Sequence, residues 1–309
     1  MANASELGSW AVPLALFGGA IRVSTPFLFV SLGECLTEKS GLINLGQEGT
    51  LIIGAMTGYA VSYQTNSAWL GVLAAGLAGV IAGFLHAWMC ARPRVNDVAV
   101  GIGLMLFGTG LAFFLGKPYI QPTAPRLPAI PLGFWSNSSQ VKAALDVNAL
   151  FVIGLLLAPA MLWCFKNTRW GLIVRTVGES SDASRAMGYN VNTVRMLATM
   201  AGGFLAGVGG SFLSLYYPGG WSEGLSSGQG LMAVALVIFA RWNPLNCLYA
   251  ALLFGAAGAL GPALQSVGVT SYRYMFIAAP YALTLIIMII TSSRTRTLAG
   301  VPAELTVSR

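Results

Sequence analysis

Long apolar runs separated by short polar interruptions govern this sequence. They lie near 10–33, 42–63, 68–91, 96–116, 148–165, 196–216, 228–240, 245–264 and 274–292. A helix of about 20 apolar residues spans the ~30 Å hydrocarbon core of a bilayer. The pattern therefore predicts an all-α, polytopic membrane helix bundle with about nine transmembrane segments, the seventh run being short for a full span. A single membrane domain covering 1–309 is expected, with no soluble domain appended.

One interruption falls where polar residues are costly. Gly41, Asn44, Gly46, Gln47, Glu48 and Gly49 occupy the start of the second run, only a few residues after Glu34. A carboxylate at such depth costs about 2.5–3.5 kcal/mol on insertion scales, so Glu48 should face a protein interior or a wet path. The glycines favour a broken or re-entrant segment near 41–49, a geometry tolerated at membrane depth only where protein or a cavity surrounds it. Spacings of three and four would put Asn44, Gln47 and Glu48 on one face if the segment is helical. Amides both donate and accept, which suits a polar, uncharged solute. Two readings stand: Glu48 lines a substrate pathway, or it forms a structural ion pair with Arg22 of the neighbouring span. Asn96 with Asp97, and Ser226 to Gln229, are secondary candidates for polar lining.

Two loops are long enough to carry structure. Residues 117–147 hold Pro118, Pro122, Pro125, Pro128 and Pro131, a density that excludes a helix and predicts an ordered extracellular loop. Residues 166–195 form a basic loop containing a short helix over 179–188. Ser180 or Ser181 caps it, acidic Glu179 and Asp182 lie at its start, and Gly188 stops it. Ala183, Ala186 and Met187 share one face, which needs a partner, the bundle or the lipid interface.

Composition fixes the compartment. Charged residues make up 9% of the chain and hydrophobic ones 56%, against about 25% charged in a soluble domain. The formal net charge is +7. With the N-terminus outside, one set of loops collects Lys39, Arg92, Arg94, Lys166, Arg169, Arg175, Arg185, Arg195, Arg241, Arg294, Arg296 and Arg309. The other collects only Lys117, Arg126, Lys142 and Arg273. That asymmetry predicts N-out/C-in. The positive balance follows from topology and implies no nucleic-acid partner. Met1 to Ser9 includes Glu6 and no Lys or Arg, so the first run is expected to be retained.

Several chemistries are excluded. His86 stands as the one histidine, and the four cysteines form no C-x-x-C pair, so a metal centre and a hydrolytic triad lack their residues. Gly110 to Lys117 has the wrong spacing for a phosphate loop. Gly54/Gly58, Gly79/Gly83 and Gly203/Gly207 read as close-packing seams. The chain is not expected to be an enzyme or to bind a cofactor.

The series Leu32-Gly33-Glu34, Glu38-Lys39-Ser40-Gly41 and Asn44-Leu45-Gly46-Gln47-Glu48-Gly49 resembles permease subunits of bacterial ABC importers for nucleosides and related simple sugars, within the branched-chain amino acid/ribose permease superfamily. Val177-Gly178-Glu179 through Val191, Ser227-Gly228-Gln229-Gly230 through Pro244, and Gly300-Val301-Pro302 extend the likeness in the same order. The resemblance implies a half-transporter in the bacterial cytoplasmic membrane. Its partners would be a homologous permease (a heterodimer), ATP-binding subunits that hold ATP and Mg, and an extracytoplasmic substrate-binding protein. It also makes Glu179, Asp182, Ala183, Ala186, Met187 and Gly188 the coupling segment. Glu34, Asn44, Gln47, Glu48 and Gln229 are the candidates for the solute path. Compared with ribose-type permeases, the resemblance implies nine crossings, with their first span expected to be missing. The competing reading is an ion-coupled secondary transporter or channel using Glu48, Glu34 or Asp97.

Overall fold

The computed structural model describes residues 11–266, 275–276, 278–291 and 300–306; Arg273, Arg294, Arg296 and Arg309 of the charge pattern lie outside them. Helices dominate: α1 Ala11–Lys39, α2 Gln47–Thr65, α3 Ala68–Cys90, α4 Asp97–Gly116, α5 Ser139–Ala144, α6 Ala149–Asn167, α7 Arg169–Glu179, α8 Ser181–Ala186, α9 Val191–Leu215, α10 Gln229–Phe239, α11 Pro244–Ser266 and α12 Ala279–Thr291. Among the described residues six helices are long and apolar enough to cross a membrane: α1, α3, α4, α6, α9 and α11. The chain is thus a helical polytopic membrane protein. The runs at 42–63, 228–240 and 274–292 appear as α2, α10 and α12, which are less apolar or shorter.

Local chemistry starts several of these helices. Asn96, Asn148, Thr168, Ser180 and Asn190 each accept a backbone N–H of the first turn that follows, capping α4, α6, α7, α8 and α9. α2 and α10 differ. They begin after Gly46 and Gly228, which have no side chain to offer. Their first-turn N–H groups need acceptors from elsewhere.

α9 is the central post, packed on α1, α2 and α3. Without a hydrophobic drive between helices in lipid, close packing of small residues holds such contacts. A Cβ on Gly54 would lie 2.5 Å from the Gly207 carbonyl oxygen, and one on Gly33 would lie 2.5 Å from that of Gly202. Gly79 and Gly203 face each other in the same way. α1 packs along α11, where Gly255 meets the backbone of Ala20 and Ser24.

The proline-rich segment is ordered but not purely irregular. A three-residue strand β1 (Ala129–Pro131) pairs antiparallel with β2 (Asp146–Asn148), and α5 forms once the prolines have ended. The loop is tied down by Tyr59 Oη donating to Pro122 O at 2.7 Å and Ser62 Oγ to Pro125 O at 2.9 Å. Trp221 is buried against Phe113 and Gly116. Lys39, Arg195, Arg241 and Gly300 gather at one end of the bundle, with Arg92, Arg94 and Arg185 around a neighbouring cavity. Arg22 and Arg126 sit with the 122–148 segment and the turn after α9.

Candidate functional site: a buried carboxylate junction

α1 ends because Gly41 adopts φ +85°, a conformation that L side chains disfavour. From there to Gly46 the chain is non-helical at a buried position, so every backbone polar group needs a partner from protein. Four elements supply them. Glu34 of α1 accepts the Asn44 N–H at 2.7 Å, and Asp97 of α4 accepts that of Ile43 at 3.1 Å. His86 Nε2 of α3 donates to the Ile43 carbonyl at 3.1 Å, and Arg195 Nε of α9 donates to that of Ser40 at 3.0 Å. Asn44 Oδ1 closes a local turn onto the Gly46 N–H at 2.9 Å.

Just beyond this break, Glu48 performs the capping that α10 lacks. Its carboxylate accepts the Gly230 N–H at 2.6 Å and the Gly228 N–H at 3.2 Å, and takes the Ser226 hydroxyl as well. The positive end of the α10 dipole and the first turn of α2 thus share one carboxylate. Gly230 permits the approach, since a Cβ there would lie 2.6 Å from Glu48 Cα. Glu34 closes the other side by accepting Gln47 Nε2 at 2.6 Å, while Glu38, one turn further along α1, accepts the Trp242 indole N–H.

The structure brings Glu34, Asn44, Gln47 and Glu48 together, all buried, with Gln229 at the start of α10 beside them. Two expectations are corrected. Asn44 lies in the non-helical stretch, ahead of α2, so it does not continue a helical face with Gln47 and Glu48. It borders a cavity of about 170 Å³ between α2, α3 and α4 instead, with Thr50, Ile53, Ile81, Leu104 and Phe107. The Arg22–Glu48 ion pair does not form, because Arg22 donates to the Ala143 carbonyl and Glu48 is taken by the α10 end. Polarity in a span predicts that a partner exists; it does not say which.

Sequence reasoning missed His86, Glu38, Trp242, Arg195 and Glu304. The Ser226–Gln229 turn before a short apolar run was the visible signal for the α10 end; nothing local marks Glu304. The side-chain carbonyl oxygens of Gln47 and Gln229 are buried without a hydrogen-bond partner.

In the basic loop, the helix expected over 179–188 is shorter: Glu179 closes α7 instead of opening that helix, and Ser180 caps α8 by accepting the Ala183 N–H at 3.2 Å. Gly188 ends the turn at φ +86°. Asp182 and Arg185 pair at 2.8 Å on the surface, while Ala183, Ala186 and Met187 are exposed. Ser184 faces inward.

Comparison with known proteins decides the family. The profile described as branched-chain amino acid transport system / permease component matches residues 16–292. The chain belongs to that family. It is 33% identical over 258 residues to a putative glucose ABC transporter permease protein of Haloferax volcanii, covering 82% of this chain and 78% of that protein. Likeness to the nucleoside ABC transporter permease NupC of Lactococcus lactis is 29%, over 86% and 88% of the two chains. The guanosine permease NupQ of Bacillus subtilis is also 29% identical, over 85% and 87%. This permease component is therefore a multi-pass subunit of a transport system in the cytoplasmic membrane and not an enzyme.

Proposed function

We propose that this permease forms half of the membrane path of an ABC importer for nucleosides or similar small polar solutes, N-terminus outside. A homologous permease completes the path as a heterodimer, and an extracytoplasmic binding protein delivers solute. ATP and Mg are held by separate ATP-binding subunits, which grip α8. The observation that carries the coupling reading is α8 itself: six residues, capped at Ser180, stopped at Gly188, with Ala183, Ala186 and Met187 exposed. An exposed apolar face on a well-capped helix, at the end of the bundle where basic residues collect, fits a protein groove.

For the solute path, the break at 40–46 and the start of α10 are two discontinuous elements meeting at Glu48. Helix ends and unwound backbone at membrane depth offer polar groups without breaking the fold elsewhere. The free side-chain oxygens of Gln47 and Gln229 can accept hydroxyl or amino protons of a nucleoside or sugar. Because Glu34 and Gln47 are fully enclosed here, solute reaches them only when the junction opens. ATP-driven motion of α8 supplies that opening by favouring one facing over the other.

Reconstitution tests the proposal. Proteoliposomes holding both permeases, the ATPase and the binding protein should accumulate radiolabelled guanosine, uridine, ribose or glucose only with internal ATP. Accumulation by this chain alone, driven by an ion gradient, would establish the secondary-transporter reading instead.

A further inference from the structure

Four separate stretches of chain meet at Glu304. This residue sits in a single helical turn, Ala303–Leu305. One carboxylate oxygen accepts the Ser181 N–H, the first of α8, at 2.8 Å. The other accepts Arg195 Nη2 of α9 at 2.9 Å. Arg195 in turn donates through Nε to the Ser40 carbonyl at 3.0 Å, where α1 gives way to the break. The fit is close, for a Cβ on Gly41 would lie 3.0 Å from both Arg195 Nη2 and Glu304 Cβ.

The turn is itself fixed. Lys39 Nζ donates to the Gly300 carbonyl at 3.2 Å, Pro302 is buried, and Val301 and Leu305 pack on the core cluster that includes Trp242 and Leu248. Glu304 is therefore held from below by the body and holds α8 from above. Most of α8 otherwise faces outward, with Ser184 turned to the protein. From Ser40 the path continues through three residues to Asn44, whose N–H lies on Glu34, and then to Gln47 and Glu48.

We propose that Glu304 and Arg195 are positioning residues that join α8 to the broken segment 40–46, so that displacement of α8 reaches Glu34 and Glu48 through this hydrogen-bonded clasp. The inference rests on the reading of α8 as the element the ATPase grips. It adds the route by which the motion travels inward, and it assigns a role to a turn far from α8 in sequence. Charge-assisted bonds suit such a link because they are directional and strong for their length.

The test is the ratio of ATP hydrolysed to solute accumulated by the complete reconstituted complex, a readout that loss of folded protein alone does not move. Glu304→Ala should raise that ratio about tenfold, hydrolysis persisting while uptake falls. Glu304→Gln keeps an acceptor for Ser181 but loses the charge facing Arg195, and should give a smaller rise. Arg195→Lys keeps a charge for Glu304 but loses the second donor to Ser40, and should also uncouple. If Glu304→Ala fails to assemble, the other two variants decide. An unchanged ratio in both of them overturns the clasp. Ala183→Trp separates the two readings. If it uncouples while the clasp variants do not, α8 is still the gripped element and the clasp is wrong. If Ala183→Trp leaves the ratio unchanged, the α8 reading fails and the clasp with it.

Discussion

The Glu48 carboxylate accepts the backbone N–H of Gly230 at 2.6 Å, across 182 residues of sequence. One side chain of α2 thereby satisfies the opening turn of α10, a helix with no cap of its own. Removing the carboxylate leaves buried donors of α10 without an acceptor, at about 1–3 kcal/mol for each unsatisfied group. Glu48→Ala should lower the thermal midpoint of the purified subunit by several degrees and abolish uptake. Glu48→Gln retains one acceptor oxygen and should fall between. Thermal unfolding followed by size-exclusion chromatography distinguishes them, and a wild-type midpoint for Glu48→Ala would show that the junction does not hold α10.

The glycine seams carry a second expectation. Gly54 meets backbone of Gly207, which cannot move aside as a side chain would. Gly54→Leu should force α2 from α9 and sharply reduce the yield of folded protein, overpacking costing about 1–3 kcal/mol or more. Gly103→Ala and Gly110→Ala make the control, because a Cβ at either position meets nothing within 4 Å. Equal yields for all three would refute the seam.

Much of this was legible in the sequence, and the limit has a physical cause. Local rules found the break at Gly41, a cap at Ser180 or Ser181, the Gly188 stop and the packing role of Gly54, Gly79 and Gly203. Each depends on residues within a turn or on a property of glycine itself. Partner choice was not legible. Arg22 and Glu48 are both polar groups in spans, and opposite charge made them a natural pair; yet each is satisfied by a separate stretch, Ala143 for one and Ser226 to Gly230 for the other. Pairings such as Glu38 with Trp242, or Arg195 with Glu304, span more than a hundred residues and leave no periodic trace. Asn44 illustrates the intermediate case, since its spacing to Gln47 held meaning only if the helix had begun three residues earlier.

Gln47 and Gln229 should behave differently despite the shared amide. Gln47 donates to Glu34 at 2.6 Å and is enclosed, so Gln47→Ala should cost stability together with uptake. Gln229 is only partly buried, and its side-chain oxygen has no partner. Gln229→Ala should leave the thermal midpoint unchanged while raising the solute concentration for half-maximal uptake several-fold, as expected for loss of about one hydrogen bond to solute. Measuring both quantities for both variants checks the split. A lowered midpoint for Gln229→Ala would make it a structural residue and remove it from the path.

Acid sensitivity at Glu304 follows from its partners. Burial by itself raises the Glu304 pKa, but the Ser181 hydrogen bonds and the Arg195 guanidinium outweigh it and bring the value from 4.5 down to about 2. A depressed carboxyl binds fewer protons folded than unfolded, so its contribution is complete above 4.5 and is lost as pH falls toward 2. The difference in thermal midpoint between wild type and Glu304→Gln should therefore stay constant from about pH 7 to about pH 5 and shrink below that. Comparing the two proteins isolates Glu304 from every other group that titrates in the same range. A difference that narrows already near neutral pH would mean that the clasp carboxyl is not held in its charged form by Ser181 and Arg195.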